Sequence, residues 1–239
     1  SGFRHMLTGI TYQANVETVT ITISLDKNNL PVRLSLVNGE LNNAYVFVYG
    51  DGGRIIRDEM LSNGGDPIVT DYTYNANGIR TSKTVGGIRH EYTLDGATIL
   101  RESWNYDETT KTYKDILVPL YDNEDSVCGI EYNGTAYYFL KNLQGDVIAI
   151  TDSAGDQVAK YSYDAWGVCT VEQGEGGIAD INPFRYRSYY FDKETGMYYL
   201  QSRYYDVCIG RFVSGETIET AGLDMLVLKW NAFSYCENE

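Results

Sequence analysis

One short unit recurs along this chain and limits what it can fold into. It is a strand ending in aromatic residues, a turn built on Asp or Asn with Gly, and a returning strand that starts apolar. The first clear copy reads Phe47-Val48-Tyr49-Gly50-Asp51-Gly52-Gly53-Arg54-Ile55, and the second Tyr72-Thr73-Tyr74-Asn75-Ala76-Asn77-Gly78-Ile79-Arg80. Looser copies occupy residues 92–99 and 161–167, with related turns at 142–147 and 152–158. Asp and Asn bond their own backbone and tolerate the left-handed region, and Gly enters it freely. The aromatic residues give each small hairpin apolar area to lay on its neighbours. A lone hairpin cannot bury its own face, so these units need companions on both sides. Their spacing is irregular, which makes the array degenerate and not a strict solenoid.

Before the repeats, Val19, Ile21, Ile23 and Leu25 alternate with Thr20, Thr22 and Ser24, and Val32, Leu34 and Leu36 alternate again up to Asn38-Gly39. That period of two marks half-buried strands, and Asn-Gly between alternating runs marks a hairpin. No segment before Glu219 carries a helical period; 221–230 reads either as a short helix or as an irregular plug. The 22 tyrosines and 24 glycines agree with an all-β chain. Periodicity alone does not separate the wall of a shell from a sandwich.

Charge and residue usage narrow the function. Nineteen basic against 33 acidic residues leave a net charge of −14, which repels phosphate backbones and argues against nucleic acid or anionic membranes as partners. Two histidines, His5 and His90, are too few for most metal sites or histidine triads, and His90 is expected as a partly exposed strand residue. Cys128, Cys169, Cys208 and Cys236 are widely spaced without a C-x-x-C pair and are expected to be buried free thiols. The run Asp122-Asn123-Glu124-Asp125 lacks the glycine and terminal Glu of an EF-hand and reads as a solvated turn. Gly174-Glu175-Gly176-Gly177 reads as a flexible loop, since no helix is expected to follow it to make a phosphate site. No cofactor or metal is expected, and no apolar run is long enough to span a bilayer. The opening residues hold no signal-peptide core, and the abrupt start in strand-like sequence suggests a fragment of a longer protein.

The repeats resemble the YD (tyrosine-aspartate) repeats of the RHS, or rearrangement hotspot, family. The last third sharpens the likeness. Asn182-Pro183-Phe184-Arg185-Tyr186-Arg187-Ser188-Tyr189-Tyr190-Phe191-Asp192-Lys193-Glu194-Thr195-Gly196-Met197-Tyr198-Tyr199-Leu200-Gln201-Ser202-Arg203-Tyr204-Tyr205-Asp206 resembles the RHS-associated core, and Gly210-Arg211-Phe212-Val213-Ser214 its G-R-F-x-S segment. The resemblance implies an antiparallel sheet spiralling into a hollow shell around a C-terminal toxin, and an exported or cell-surface location. It divides the chain into a hairpin segment at 1–44, repeats at 45–180 and the core at 181–239. The role it implies is to enclose, display or deliver an attached cargo.

In toxin-bearing relatives the core is an aspartyl autoprotease, which needs two neighbouring carboxylates. Here Glu216 stands in the usual Asp place, Val207 follows Asp206 where proline is usual, and the downstream D-P-x-G-L element is absent. Glu216, Asp206 and Arg203 are therefore vestigial candidates, and no autoproteolysis is expected from this chain by itself; a further alternative is half of an aspartyl autoprotease whose downstream half comes from elsewhere. The alternative reading is an adhesion module that binds carbohydrate or a cell-surface protein through Trp104, Trp166, Tyr186 and Arg187, the tryptophans being exposed. Against it, Arg185, Arg187, Arg203 and Arg211 read as stacking on core tyrosines and pairing with Asp192, Glu194 and Asp206.

Overall fold

The computed structural model describes residues 10–14, 17–25, 31–37, 40–50, 54–62, 66–174, 176–201, 203–208 and 210–213, with side chains from residue 47 onward except at 61 and 62. Glu216, Cys236, His5 and the segment 221–230 lie outside the described residues. Fifteen strands, from β1 (Ile10–Ala14) to β15 (Cys169–Gln173), form one antiparallel sheet in strict chain order. The alternating runs become β2 (Glu17–Leu25) and β3 (Pro31–Val37), paired from Val19↔Val37 to Leu25↔Pro31. β4 (Glu40–Tyr49) continues the ladder into β5 (Ile55–Ser62). Then follow β6 (Ile68–Tyr74), β7 (Arg80–Val85), β8 (Ile88–Asp95), β9 (Thr98–Asp107) and β10 (Thr112–Tyr121). β11 (Val127–Tyr132), β12 (Thr135–Lys141), β13 (Val147–Thr151) and β14 (Gln157–Tyr163) complete the run to β15.

Five turns share one geometry, and it explains why Asp or Asn recurs. Asn75 Oδ1 accepts from the backbone N–H of Asn77 and Ile79. Asp122, Asn142, Asp152 and Asp164 each accept in the same way from the second and fourth residues beyond them. The residue three places on has positive φ: Gly78, Gly145, Gly155 and Gly167, with Asp125 in the equivalent place at 59°. The tyrosine before three of these turns ties the rim. Tyr74, Tyr121 and Tyr163 donate to the carbonyls of Ile55, Ile99 and Val147, each near the start of the preceding strand. Tyrosine and aspartate thus do separate work at one place: the carboxylate shapes the turn, and the phenol staples it to the strand beside it.

The core run does not extend this sheet. A single helical turn, α1 (Ile178–Ile181), and a 3-10 turn at Tyr186–Ser188 lead into a separate four-stranded antiparallel sheet. Its strands are β16 (Tyr190–Asp192), β17 (Met197–Leu200), β18 (Arg203–Asp206) and β19 (Arg211–Phe212). One sequence expectation is corrected here. A helix does follow the glycine run, but at four residues it is too short to show a period. The chain also breaks from strand at Arg187 and Ser188, both at positive φ, because Asp146 Oδ1 and the Gly145 carbonyl accept the Arg187 N–H and the Ser188 hydroxyl.

The small sheet seats against the long one and shows that the long one is curved. Its segment touches β4 through Tyr49 Oη to the Val213 carbonyl, and β14 through the Tyr163 and Tyr186 rings, 6.0 Å apart. In between it meets β6, β7, β8, β9, β12 and β13. Laid flat, the ten strand spacings from β4 to β14 would span about 48 Å, against about 14 Å for the three spacings of the small sheet. The long sheet therefore wraps the small one as a wall wraps a plug. Phe47, Ile55, Tyr72, Leu117 and Ile130 from the wall share one core with Phe184, Tyr190, Met197 and Tyr204 from the plug. The described cysteines depart from expectation in burial: Cys128 and Cys169 are free and half-buried, and Cys208 is exposed.

Candidate functional site: the junction of wall and plug

The Asn75 turn delivers Arg80 to the inner face of the wall as the first residue of β7. Its side chain is all but removed from solvent. Arg80 Nη1 donates to Asp192 Oδ2 of the plug at 2.5 Å and to Tyr204 Oη at 3.1 Å. Among the described residues its Nε and Nη2 have no hydrogen-bond acceptor. Aromatic faces surround them instead: the guanidinium carbon lies 4.2 Å from the Tyr199 ring centre and within 5.9 Å of those of Tyr72, Tyr92, Tyr190 and Tyr204. Such cation–π contacts strengthen when desolvated.

Lys83, on the same strand, donates from Nζ to Asp192 Oδ1 at 2.8 Å and to Glu194 Oε1 at 2.7 Å. Two cations of the wall thus face two carboxylates of the plug. Beside them, Tyr190 donates to Glu102 Oε2 at 2.8 Å, and His90 Nδ1 lies 2.7 Å from Glu102 Oε1. Tyr72 donates to Asp58 Oδ2 at 2.6 Å.

Burial and charge shift these groups in different directions. Burial would lift the Asp192 carboxyl, but Arg80 and Lys83 outweigh it and hold it below the ordinary carboxylate range. Burial would likewise depress Lys83, yet Asp192 leads the groups that raise it above the ordinary lysine value. Among the described residues no such cation offsets burial at Asp58, whose carboxyl is pushed up to about 7 despite the bond from Tyr72. The buried phenols of Tyr72, Tyr92, Tyr190 and Tyr204 are all raised, chiefly by burial.

A second contact fixes the plug at the rim. Tyr186, Tyr205 and Tyr198 donate to the carbonyls of Ala165, Trp166 and Gly167, all within one turn. The Tyr186 ring lies so close that a Cβ on Gly167 would meet it at 2.7 Å. Two openings lie along the junction. A groove of about 430 Å³ separates the turns at Ala97 and Asp125 from Tyr189 and Gln201. A smaller one, about 260 Å³, is lined by His90, Trp104, Lys83 and Arg185.

The residues singled out from sequence fall in several places. Trp166 is exposed at the rim turn, close to the buried Tyr186, and the exposed Arg187 lies over the Tyr186 ring at 5.5 Å. Trp104 is not an exposed platform: it is half-buried on the inner face, stacked between His90 and Tyr132. Asp206 is fully buried, with Oδ1 accepting from the Cys208 N–H, and Arg203 packs 3.7 Å over the Phe212 ring. Arg185 stacks on Phe191 and donates to the Ala179 carbonyl. Asp192 and Glu194, expected to pair with arginines of the core, pair instead with Arg80 and Lys83, because the inner face of β7 lies opposite them. Sequence reading missed Arg80, Lys83, Glu102 and Asp58. The available signal was a basic residue, Arg80, five places after the turn residue Asn75, where Val127 and Val147 stand after Asp122 and Asn142.

Comparison with known proteins agrees with this architecture. Residues 103–233 match the family model described as the teneurin YD-shell. The chain belongs to the teneurin YD-shell family. It is a piece of a YD-repeat shell of the RHS type, antiparallel throughout. Over 181 residues, 75% of this chain, it is 37% identical to the tRNA nuclease WapA of Bacillus subtilis strain 168. It is 31% identical over 87 residues to the double-stranded DNA deaminase toxin A of Burkholderia cenocepacia strain H111, 36% of this chain and 6% of that protein. The chain spans only 7% of the length of the WapA relative. Among solved structures it is similar to TcdB2-TccC3-Cdc42, with a TM-score of 0.64 and 16% identity over 92% of this chain and 13% of that one. The Photorhabdus luminescens Tc holotoxin pore gives 0.54, again at 16% identity, over 93% of this chain and 13% of that one. Among the described residues no helix is long and apolar enough to cross a membrane.

Proposed function

We propose that this chain is the closing end of a YD-repeat shell that encloses a polypeptide cargo, and that residues 181–239 form the unit that stoppers it, with 45–180 as repeat wall and 1–44 as wall continuous with it. One observation carries the reading: a separately folded sheet sits on the concave side of the wall, held by buried ion pairs that neither part would bury alone. Unpaired, Arg80 or Asp192 would carry a desolvation penalty of several kcal/mol per ion, so the pairing favours one seating of the plug.

The chemistry of the shell in this reading is steric. A closed wall of hydrogen-bonded strands keeps proteases from the cargo and the cargo from the producing cell. The activities named in the relatives, a tRNA nuclease and a DNA deaminase toxin, belong by this reading to cargo and not to the shell. The acidic chain is itself a poor surface for nucleic acid. Export or cell-surface display fits such a role. This reading assigns no autoproteolysis to the chain; Asp206 is fully buried and accepts the Cys208 N–H.

The test is protease protection in the intact gene product. The polypeptide adjoining this chain resists digestion in wild type and becomes sensitive when Arg80 and Asp192 are both changed to Ala. Equal sensitivity in both proteins sinks the reading.

A further inference from the structure

The ion cluster that seats the plug has the composition and spacing of a self-crosslinking site. Lys83 Nζ is 2.8 Å from Asp192 Oδ1, an ion-pair contact that holds the amine beside the carboxyl group it would attack. Glu194 Oε1 is 2.7 Å from the same Nζ on its other side. The side chains of Lys83, Asp192 and Glu194 are 6%, 0% and 11% exposed, so bulk water does not compete for the carbonyl. Arg80 Nη1 holds the second carboxylate oxygen, Asp192 Oδ2, at 2.5 Å.

We propose that Lys83 and Asp192 condense to an intramolecular amide that fastens the plug covalently to the wall. Glu194 acts as the proton carrier. It takes one proton from the Lys83 ammonium and passes it to Asp192 Oδ1, so that a neutral amine faces a neutral carboxyl; Nζ then attacks Cγ and the Nζ–Cγ bond forms. Negative charge develops on Oδ2, where Arg80 Nη1 is already placed to receive it. Glu194 carries a second proton from the attacking nitrogen to Oδ1, and the Cγ–Oδ1 bond breaks with release of one water. The three ammonium protons are accounted for: two leave in the water and one stays on the amide nitrogen. No oxidant or other reactant enters.

Electrostatics favours the product over the starting cluster. The cluster begins with two cations and two carboxylates, all buried. Condensation removes one of each, so neutrality is kept while two ions no longer have to be held out of water. Arg80 then donates to the new carbonyl, and Glu194 accepts from the new amide N–H. The residues joined are 109 positions apart, so the bond closes a large loop through most of the repeats. It would hold the plug in place after its sheet had lost its packing.

The experiment is an intact-mass measurement on the purified, folded chain, denatured just before analysis, followed by peptide mapping. The expected result is a mass lower by one water and a branched peptide joining the residues around Lys83 to those around Asp192. The Lys83→Arg variant keeps the charge, cannot form the bond and shows its full mass. Its denatured form migrates more slowly in an electrophoresis gel than the looped wild type. The Glu194→Gln variant keeps both reacting groups and condenses more slowly. A wild-type chain at full mass after prolonged incubation, or a lost water mapped to any other residues, overturns the proposal.

Discussion

Arg80 of the wall and Asp192 of the plug meet at 2.5 Å with both side chains essentially sealed from solvent. The contact joins a repeat hairpin to the core run across 112 residues of chain. Its worth is asymmetric. A hydrophobic pair of equal volume would serve stability about as well, but removing one partner strands the other as a buried charge.

Arg80→Met is accordingly expected to destabilise the chain by about 3–5 kcal/mol, read as a lower urea midpoint. Adding Asp192→Leu to that variant restores part of the loss. A double variant as unstable as the sum of the two single changes would show that the pair is not coupled.

Asp58 makes stability fall with rising pH. Its carboxyl titrates at about 7 when folded, against an ordinary value of 3.8. The folded chain therefore holds this proton where the unfolded chain has lost it. The contribution is full below the unfolded value and is lost as pH climbs through about 7, at up to about 1.4 kcal/mol per pH unit. Asp58→Asn keeps an acceptor for the Tyr72 hydroxyl and abolishes this slope. Urea midpoints of wild type and variant are expected to diverge between about pH 4 and about pH 7, with the variant ahead at the alkaline end. Parallel curves would refute it.

Two glycines at matching turn positions separate backbone strain from packing. Gly155 has φ of 88° with nothing within 4 Å of an added methyl, whereas a Cβ on Gly167, at φ of 94°, would strike the Tyr186 ring. Gly155→Ala is expected to lose about 1–2 kcal/mol, the strain of a left-handed L-residue. Gly167→Ala is expected to lose that and more, and to loosen the plug, seen as faster hydrogen exchange at Tyr198 and Tyr205. Equal losses at the two sites would mean that the rim contact contributes nothing.

Asp125 occupies the left-handed position that glycine takes in the four sister turns. Asp125→Gly removes that strain but loosens the unfolded chain, and the two effects oppose each other. A gain of up to about 1 kcal/mol in unfolding free energy is expected, with no change in the Asp122 hydrogen bonds to Glu124 and Ser126. Destabilisation would show that the Asp125 side chain makes its own contribution to the turn.

Much of the wall is legible in residues alone because its rules are local. Alternation assigns β2 and β3, and Asn75, Asn142 and Asp164 announce turns whose bonds close within five residues. The plug resists such reading for the same reason in reverse. Tyr190, Met197 and Tyr204 carry strand-like patterning that suits an added wall strand as well as a separate sheet. Trp104, expected as an outward platform, differs from an exposed tryptophan only in which face of β9 turns inward, and its parity along the strand does not say which.

What the chain's own order of residues determined was the hairpin array: tyrosines before Asp or Asn, glycine three places on, and alternating apolar strands between them. These depend on backbone geometry and neighbours a few positions away. Only the tertiary structure decided that the final strands leave the wall, turn into its hollow side and set Asp192 and Glu194 against Arg80 and Lys83. Those partners stand more than a hundred positions apart, and an ion pair has no sequence period. It forms where burial makes an unmatched charge intolerable, and burial is known only once the curved sheet and its plug have come together.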